Sequence, residues 1–202
     1  MSIKSKTIKI IKTIGYFFNM EHSAISQSIR NSLFDDYRQR NLFNNEKYKN
    51  PKKLNQFEFS AFSQNGEDGI IEEIFNRIGS TNRFFVEFGV QTGIESNSTY
   101  LLHKGWSGFW IDGNAKHVKK IMQNFSKVIL SKKLQVKCGF ITAENIESLF
   151  IEANVPQQFD LLSIDIDRND YYVWDAIQSY NPRVVIIEYN AIFRPGCEFV
   201  VD

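Results

Sequence analysis

The stretch Phe84-Phe85-Val86-Glu87-Phe88-Gly89-Val90-Gln91-Thr92-Gly93 governs the reading of the whole chain. A short apolar run carries an acid near its end, and two glycines follow, four positions apart. An apolar run bounded by turn residues is how a buried parallel strand reads. Glycine there lets the backbone turn sharply and lets another group approach where a Cβ would collide. The next segment, Asn97 to Lys104, is competent to form a helix, with Gly105 as its C-cap. Strand, glycine turn and helix open a nucleotide-binding α/β domain, although a βα turn without a ligand has the same outline.

Downstream, Gly108 to Ile111 reads as a second strand ending in Asp112, 23 positions beyond Gly89. An acid at that distance is placed to accept hydrogen bonds from both hydroxyls of a ribose. Leu134 to Phe140 is a third strand, with a helix after it through Ala153. Phe159 to Asp167 is a fourth and Arg183 to Asn190 a fifth, with Asn181-Pro182 stopping the helix between them. Apolar strands alternating with helical segments predict a Rossmann-like α/β fold, a parallel sheet of about five strands with helices on both faces. Glu87, Asp112, Asp165 and Glu188 fall at carboxyl ends of strands, the edge where open α/β sheets bind ligands.

Upstream, Ser63-Gln64-Asn65-Gly66-Glu67-Asp68-Gly69 leads into an apolar helical run. Ser63 or Asn65 can cap that helix, and Glu67 and Asp68 suit the positive end of its dipole. The start of the helix, Gln64 included, can equally lie over the pocket at the glycine turn, and both readings stay open. Residues 44–56 are rich in Asn and Lys and contain Pro51, which marks a linker. The expected division is therefore a helical N-terminal extension and linker over 1–56 and the α/β domain over 57–202. In residues 1–20, Ile3, Ile10, Ile14 and Phe17 recur at helical spacing among Lys4, Lys6, Lys9 and Lys12. Such a segment packs its stripe on a domain or partner, the commoner use, or lies on an anionic membrane surface.

Composition excludes several classes. Of the 202 residues, 43% are apolar and 23% charged, ordinary values that argue against wholesale disorder. A net charge of +1 gives no overall reason to expect nucleic acid. Cys138 and Cys197 form no CxxC pair, which fits a reducing compartment or simple burial. No apolar run approaches a membrane-spanning length. The expected location is the cytoplasm, with peripheral membrane contact through residues 1–20 as the variant. Asn97-Ser98-Thr99 and Asn124-Phe125-Ser126 match glycosylation acceptors, but no secretory signal gives them relevance.

The ligand class follows from the missing glycines. A dinucleotide site wants GxGxxG over the pyrophosphate, and here Gln91 and Ile94 hold the second and third places. A ligand with a ribose and no phosphates fits better, and S-adenosylmethionine, with a cationic sulfonium, suits a rim of carboxylates. Val86-Glu87-Phe88-Gly89 through Gly93, then Trp110-Ile111-Asp112, resemble the first two motifs of class I S-adenosylmethionine-dependent methyltransferases. With Ser63 to Asp68, Ile164-Asp165-Ile166-Asp167 and Ile187-Glu188-Tyr189-Asn190 added, the set resembles the FkbM-type branch, from about Phe57 onward.

That resemblance implies methyl transfer, often to a hydroxyl of a sugar or other small metabolite. By position, it implies that Gly89 and Gly93 hold the methionine part of the donor, with Glu87 near its amino group and Gln64 beside the same pocket. Asp112 would bind the ribose, Thr142 and Ala143 would lie by the adenine, and Asp165 would face the methyl donor or acceptor. Asp165, Asp167 or Glu188 would take the hydroxyl proton. The same acids, with Asn169 or Asp170, could instead hold a divalent metal, but none is indicated: the run from Asp165 imitates an EF-hand loop but has Asp170 at the glycine place and Ala176 at the place of the bidentate Glu. His103 suits the C-terminal dipole of its helix, and Tyr171, Tyr172 and Trp174 read as core more readily than as an acceptor pocket. Two departures stand out. Arg168 replaces the glycine that relatives carry after the second acid. Only Ala191 to Asp202 follow the fifth strand, so the expectation is a shortened chain, or else a second subunit over the open edge. A donor-binding module without catalysis, and a membrane-associated protein acting through residues 1–20, are the competing readings.

Overall fold

A computed structural model describes residues 49–189 together with Gly196 and Val200. The expected helices over 1–20 and 23–48, Cys197 and the region after the fifth strand lie outside the described residues. The chain divides into two units, Met1–Gln56 and Phe57–Asp202. In the second unit the elements run α1 (Glu67–Ile78), β1 (Phe84–Phe88), α2 (Thr99–His103), β2 (Ser107–Asp112), α3 (Ala115–Asn124) and α4 (Ser126–Leu130). They continue with β3 (Leu134–Cys138), α5 (Ile146–Glu152), β4 (Gln158–Ile164), α6 (Asp170–Asp175) and β5 (Asn181–Ile187). The five strands form one sheet in the order β3-β2-β1-β4-β5, and every pairing is parallel. No helix among the described residues is long and apolar enough to cross a membrane.

The period of two along each strand sorts the core into two layers. Val86 and Phe88 of β1, Phe109 and Ile111 of β2, and Leu162 and Ile164 of β4 face one way. They pack with Ile146 and Phe150 of α5 and Val173 of α6. Phe85, Trp110 and Leu161 face the other way and pack with Ile71 and Phe75 of α1, Leu101 of α2 and Ile121 of α3. Trp110 is fully buried, with Phe125 edge-on to it at 4.9 Å. Phe85 sits directly across from Gly108 in the β1–β2 register, and a Cβ on Gly108 would lie 2.2 Å from its ring.

Several local expectations change. The strands end earlier than their apolar runs, β3 at Cys138 and β5 at Ile187, because the chain leaves the sheet there to line the clefts described below. Pro182 is inside β5, paired with Phe159, instead of stopping the preceding helix. The Asn181 amide donates to Gln157, so the next backbone position, where proline has no N–H, faces away from β4. An edge strand tolerates that. Gly105 does close α2: its amide donates to Leu102 and that of Trp106 to Leu101, the paired bonds of a Schellman cap. Tyr171, Tyr172 and Trp174 are 45%, 39% and 43% exposed, so they are not core. A helix of six residues is too short to bury a second face.

Candidate functional site

Two adjoining clefts open at the carboxyl edge of the sheet, and both are lined by Gly89, Gln91 and Asp165. One, of about 440 Å³, runs past Asp112, Asn114 and His117 to Phe140 and Ile141, with Asp167 on its other wall. The second, of about 360 Å³, is lined by Gln64, Asn65 and Glu67 before α1, by Glu87 and Glu95 to Asn97, and by Glu188 and Tyr189. Strand order explains the place. β1 and β4 are neighbours whose connections leave to opposite sides, β1 towards β2 and β4 towards β5. Their divergence opens the crevice.

Glu87 organises the turn after β1. It is 4% exposed and faces the α1 side of the sheet. Its carboxylate accepts from Ser96 Oγ at 2.9 Å, from the amides of Asn97 and Ser98 at 2.9 and 3.0 Å, and from Ser98 Oγ. Ser98 Oγ in turn accepts from the Trp110 indole at 2.7 Å. Asn97 spends its side-chain amide on Ser163 at 3.1 Å. Burial pushes the Glu87 carboxyl up, against the lowering effect of those donors, Ser98 foremost. Both its oxygens are engaged, so its first role is to hold the loop over residues 89–98.

The glycines have packing causes. A Cβ on Gly89 (φ +71) would lie 1.6 Å from the carbonyl oxygen of Asp165, so β1 and β4 approach too closely for any side chain there. A Cβ on Gly93 (φ +73) would meet the Trp110 ring at 2.6 Å. Gln91 is left-handed as well (φ +49), and its amide donates to Asp112 at 2.7 Å. The middle of the turn thus has a glycine-like backbone without glycine, held by the acid that closes β2. Asp112, 5% exposed, also accepts from the Asn114 amide at 2.8 Å, and His117 Nδ1 lies 3.3 Å from it. A carboxylate has about four acceptor positions, so two remain for a ligand.

Across the crevice, single oxygens of Asp165, Asp167 and Glu188 come within 4.8 Å of one another. Exposed carboxylates are often grouped so without an ion, and no metal is assigned here. Partial desolvation in the crevice, then the charges of Asp167 and Asp170, raise the Asp165 carboxyl although the side chain is exposed. Burial and then the charge of Asp165 raise Glu188, the two carboxyls lying within 4.8 Å of each other. A pair of this kind holds one proton between its members more easily than it ionises fully. The chain after Asp165 is strained: Asp167 (φ +55) and Arg168 (φ +94) are consecutive left-handed residues. Arg168 therefore occupies a backbone position suited to glycine. Arg168→Gly is expected to raise the unfolding free energy by about 1 kcal/mol, measured by urea titration. An unchanged or lowered midpoint would mean that the guanidinium makes up for the strain.

Among the sequence-derived residues, the structure brings Gln64, Glu87, Gly89, Asp112, Asp165, Asp167 and Glu188 to the two clefts. Gly93, Thr142 and Ala143 line neither; Phe140 and Ile141 stand where Thr142 and Ala143 were expected, and the Thr142 amide is tied to Asn145 at 2.9 Å. Neither Ser63 nor Asn65 is the N-cap of α1, although the segment does reach the second cleft. Ser63 Oγ accepts from the Asp68 amide at 3.0 Å, and Gln64 and Asn65 line the second cleft. The formal N-cap is Gly66 (φ +95), and Asp68 serves the loop instead, accepting from the amides of residues 61 to 63. His103 stacks on Phe62 at 5.0 Å, away from either cleft.

No family model and no curated protein sequence matches the chain. Solved structures do. The chain is similar to the O-methyltransferase from Bacillus cereus, solved in complex with SAH, at 21% identity and a TM-score of 0.42, covering 64% of this chain and 56% of that one. It is similar to an S-adenosylmethionine-dependent methyltransferase from Clostridium acetobutylicum, at 16% identity and a TM-score of 0.37, covering 75% and 50%. It is also similar to the glycopeptide N-methyltransferase MtfA, at 10% identity and a TM-score of 0.40, covering 58% and 50%. The chain spans about half the length of these structures. The likeness is one of fold.

Proposed function

We propose that residues 57–202 form a methyltransferase-like domain that binds S-adenosylmethionine and transfers its methyl group, with a hydroxyl of a sugar or small metabolite as acceptor. The observation that carries this reading is the pair of clefts meeting at Gly89 and Asp165. One ends at a buried carboxylate with free acceptor positions, and the other is rimmed by acids. The similar solved structures include O- and N-methyltransferases, some with SAM or SAH bound, which is the class the motifs resemble. The FkbM-type assignment rests on the ordered motif set alone.

Bound in this crevice, the donor would supply an electrophilic methyl on a cationic sulfur. Asp112 would accept from the ribose hydroxyls, held in place by the Gln91 and Asn114 amides. Phe140, 81% exposed, offers a face for the base. Glu87 would set the loop against which the methionine end lies. The Asp165–Glu188 pair would take the acceptor's proton, since carboxyls raised above their usual range are better bases near neutrality. Displacement at a methyl group depends chiefly on alignment, which the rigid strand ends provide.

Calorimetric titration of the full chain with S-adenosylhomocysteine tests this directly. Micromolar binding is expected, and Asp112→Ala should weaken it at least tenfold, about 1.4 kcal/mol or more. No heat with a demonstrably folded protein would refute the cofactor assignment. Binding without transfer to any hydroxylated acceptor would leave a donor-binding module.

A further inference from the structure

Between Gly113 and Ala143 the sequence carries seven lysines and no acidic residue. The whole chain is close to neutral, with 24 basic and 23 acidic side chains, so the remainder holds 17 basic against 23 acidic. Charge is therefore segregated. The structure gathers this stretch at one margin of the sheet, in α3, α4 and the edge strand β3. Ile121 is the buried side of α3, while Lys116, Lys119 and Lys120 recur at helical spacing and are exposed. Lys127 of α4, and Lys132 and Lys133 in the turn before β3, are exposed too. Among the described residues, Lys137 is the only one of these lysines that makes an ion pair, with Glu152. Set among the lysines are two aliphatic side chains in solvent, Leu130 at 82% and Met122 at 48% exposed.

Like charges held together without counter-charges repel, so folding does not account for the arrangement. We infer that this lysine face docks on the surface of an anionic lipid bilayer. Lysines near such a surface are attracted to its headgroups, and Leu130 and Met122 can enter the boundary with the acyl chains. A single-stranded nucleic acid would call for exposed aromatics on which bases stack. Phe125 of this stretch packs against Trp110, and its one exposed aromatic, Phe140, lines the cleft and is not among the lysines of α3 and α4. α3 begins beside Asn114 and His117 in that same wall, so docking would bring the crevice close to the lipid. This surface is distinct from the basic segment over 1–20, and it does not depend on what the crevice binds.

The full chain is sedimented with vesicles of phosphatidylcholine alone and of phosphatidylcholine with roughly one-third phosphatidylserine. Binding to the anionic vesicles only, weakened by added salt, is expected. Each lysine contributes roughly fivefold, so Lys119→Glu, Lys120→Glu and Lys127→Glu together should lower partitioning by at least about tenfold. Leu130→Ser should lower it by a smaller factor at any salt concentration. A second variant with Lys4, Lys6, Lys9 and Lys12 changed to Ser should keep the part of the binding that the triple variant loses. The inference is overturned if the triple variant, folded by circular dichroism, binds like the parent, or if charged vesicles are not preferred. It is also overturned if a duplex oligonucleotide displaces the vesicles.

Discussion

Asp160→Asn is expected to lower the unfolding free energy by about 3 kcal/mol, the cost of leaving a buried ion pair and its hydrogen bonds broken. Asp160 is fully buried in β4, at the end of the sheet opposite the crevice. It accepts from the amides of Thr81, Asn82 and Arg83 at 2.7 to 3.1 Å, from Thr81 Oγ1 at 2.9 Å and from Arg183 at 2.8 Å. Arg183 also donates to the carbonyls of Ile78 and Gly79, so one carboxylate ties the entry to β1, the end of α1 and strand β5 together. Asparagine keeps the shape but turns an NH₂ towards donors. Burial alone would raise the Asp160 carboxyl; the Arg183 guanidinium and the amides outweigh it and hold the group below its usual range. The sign follows: this stabilisation is complete above the unfolded carboxylate pKa and is lost as pH falls through the folded one. Urea midpoints of the parent should therefore decline below about pH 4, and those of the variant should decline less over that window. Equal pH profiles would show that Asp160 is not a source of acid sensitivity.

Gly89→Ala should damage both the fold and the site. The added Cβ has a non-bonded oxygen at 1.6 Å, in a backbone conformation with φ +71. Left-handed alanine costs about 1 kcal/mol, and displacing the exit of β4 about 1 to 3 more. The displaced group is the backbone of Asp165, which lines both clefts. Affinity for S-adenosylhomocysteine should fall at least tenfold even at a temperature where the variant remains folded. Thermal unfolding and calorimetry on the same sample check both parts. A variant that keeps its stability and its affinity would mean that the two strand ends are further apart than described.

The sheet was legible because its strands are buried on both faces and read as near-continuous apolar runs. The acids at strand ends were legible because an acid after such a run is rarely core. What stayed hidden was the commitment of each side chain. Glu87 reads as a ligand group, yet its oxygens are filled by a Ser96-Asn97-Ser98 loop whose polarity suggested only a helix start. Gly93 reads as a cradle and proves to be room for Trp110, a contact set by β2 and not by neighbours in sequence. Thr142 lies outside the cleft that Phe140 and Ile141 line, because the length of β3 depends on where Gly139 leaves the sheet. The lysine run escapes a reading from overall composition, because a whole-chain charge of +1 conceals it.

Phe85 and Gly108 also constrain descent. Because the ring occupies the volume of the missing Cβ, the two positions are not free to vary one at a time. A lineage that acquires alanine at 108 while keeping the aromatic at 85 passes through an overpacked intermediate. One that first trims residue 85 passes instead through a cavity, which a sheet buried on both sides can survive more easily if the rest is stable. The order of substitutions is thereby biased, and homologues should carry either the large–none pair or a medium–small pair, with the mixed combinations rare.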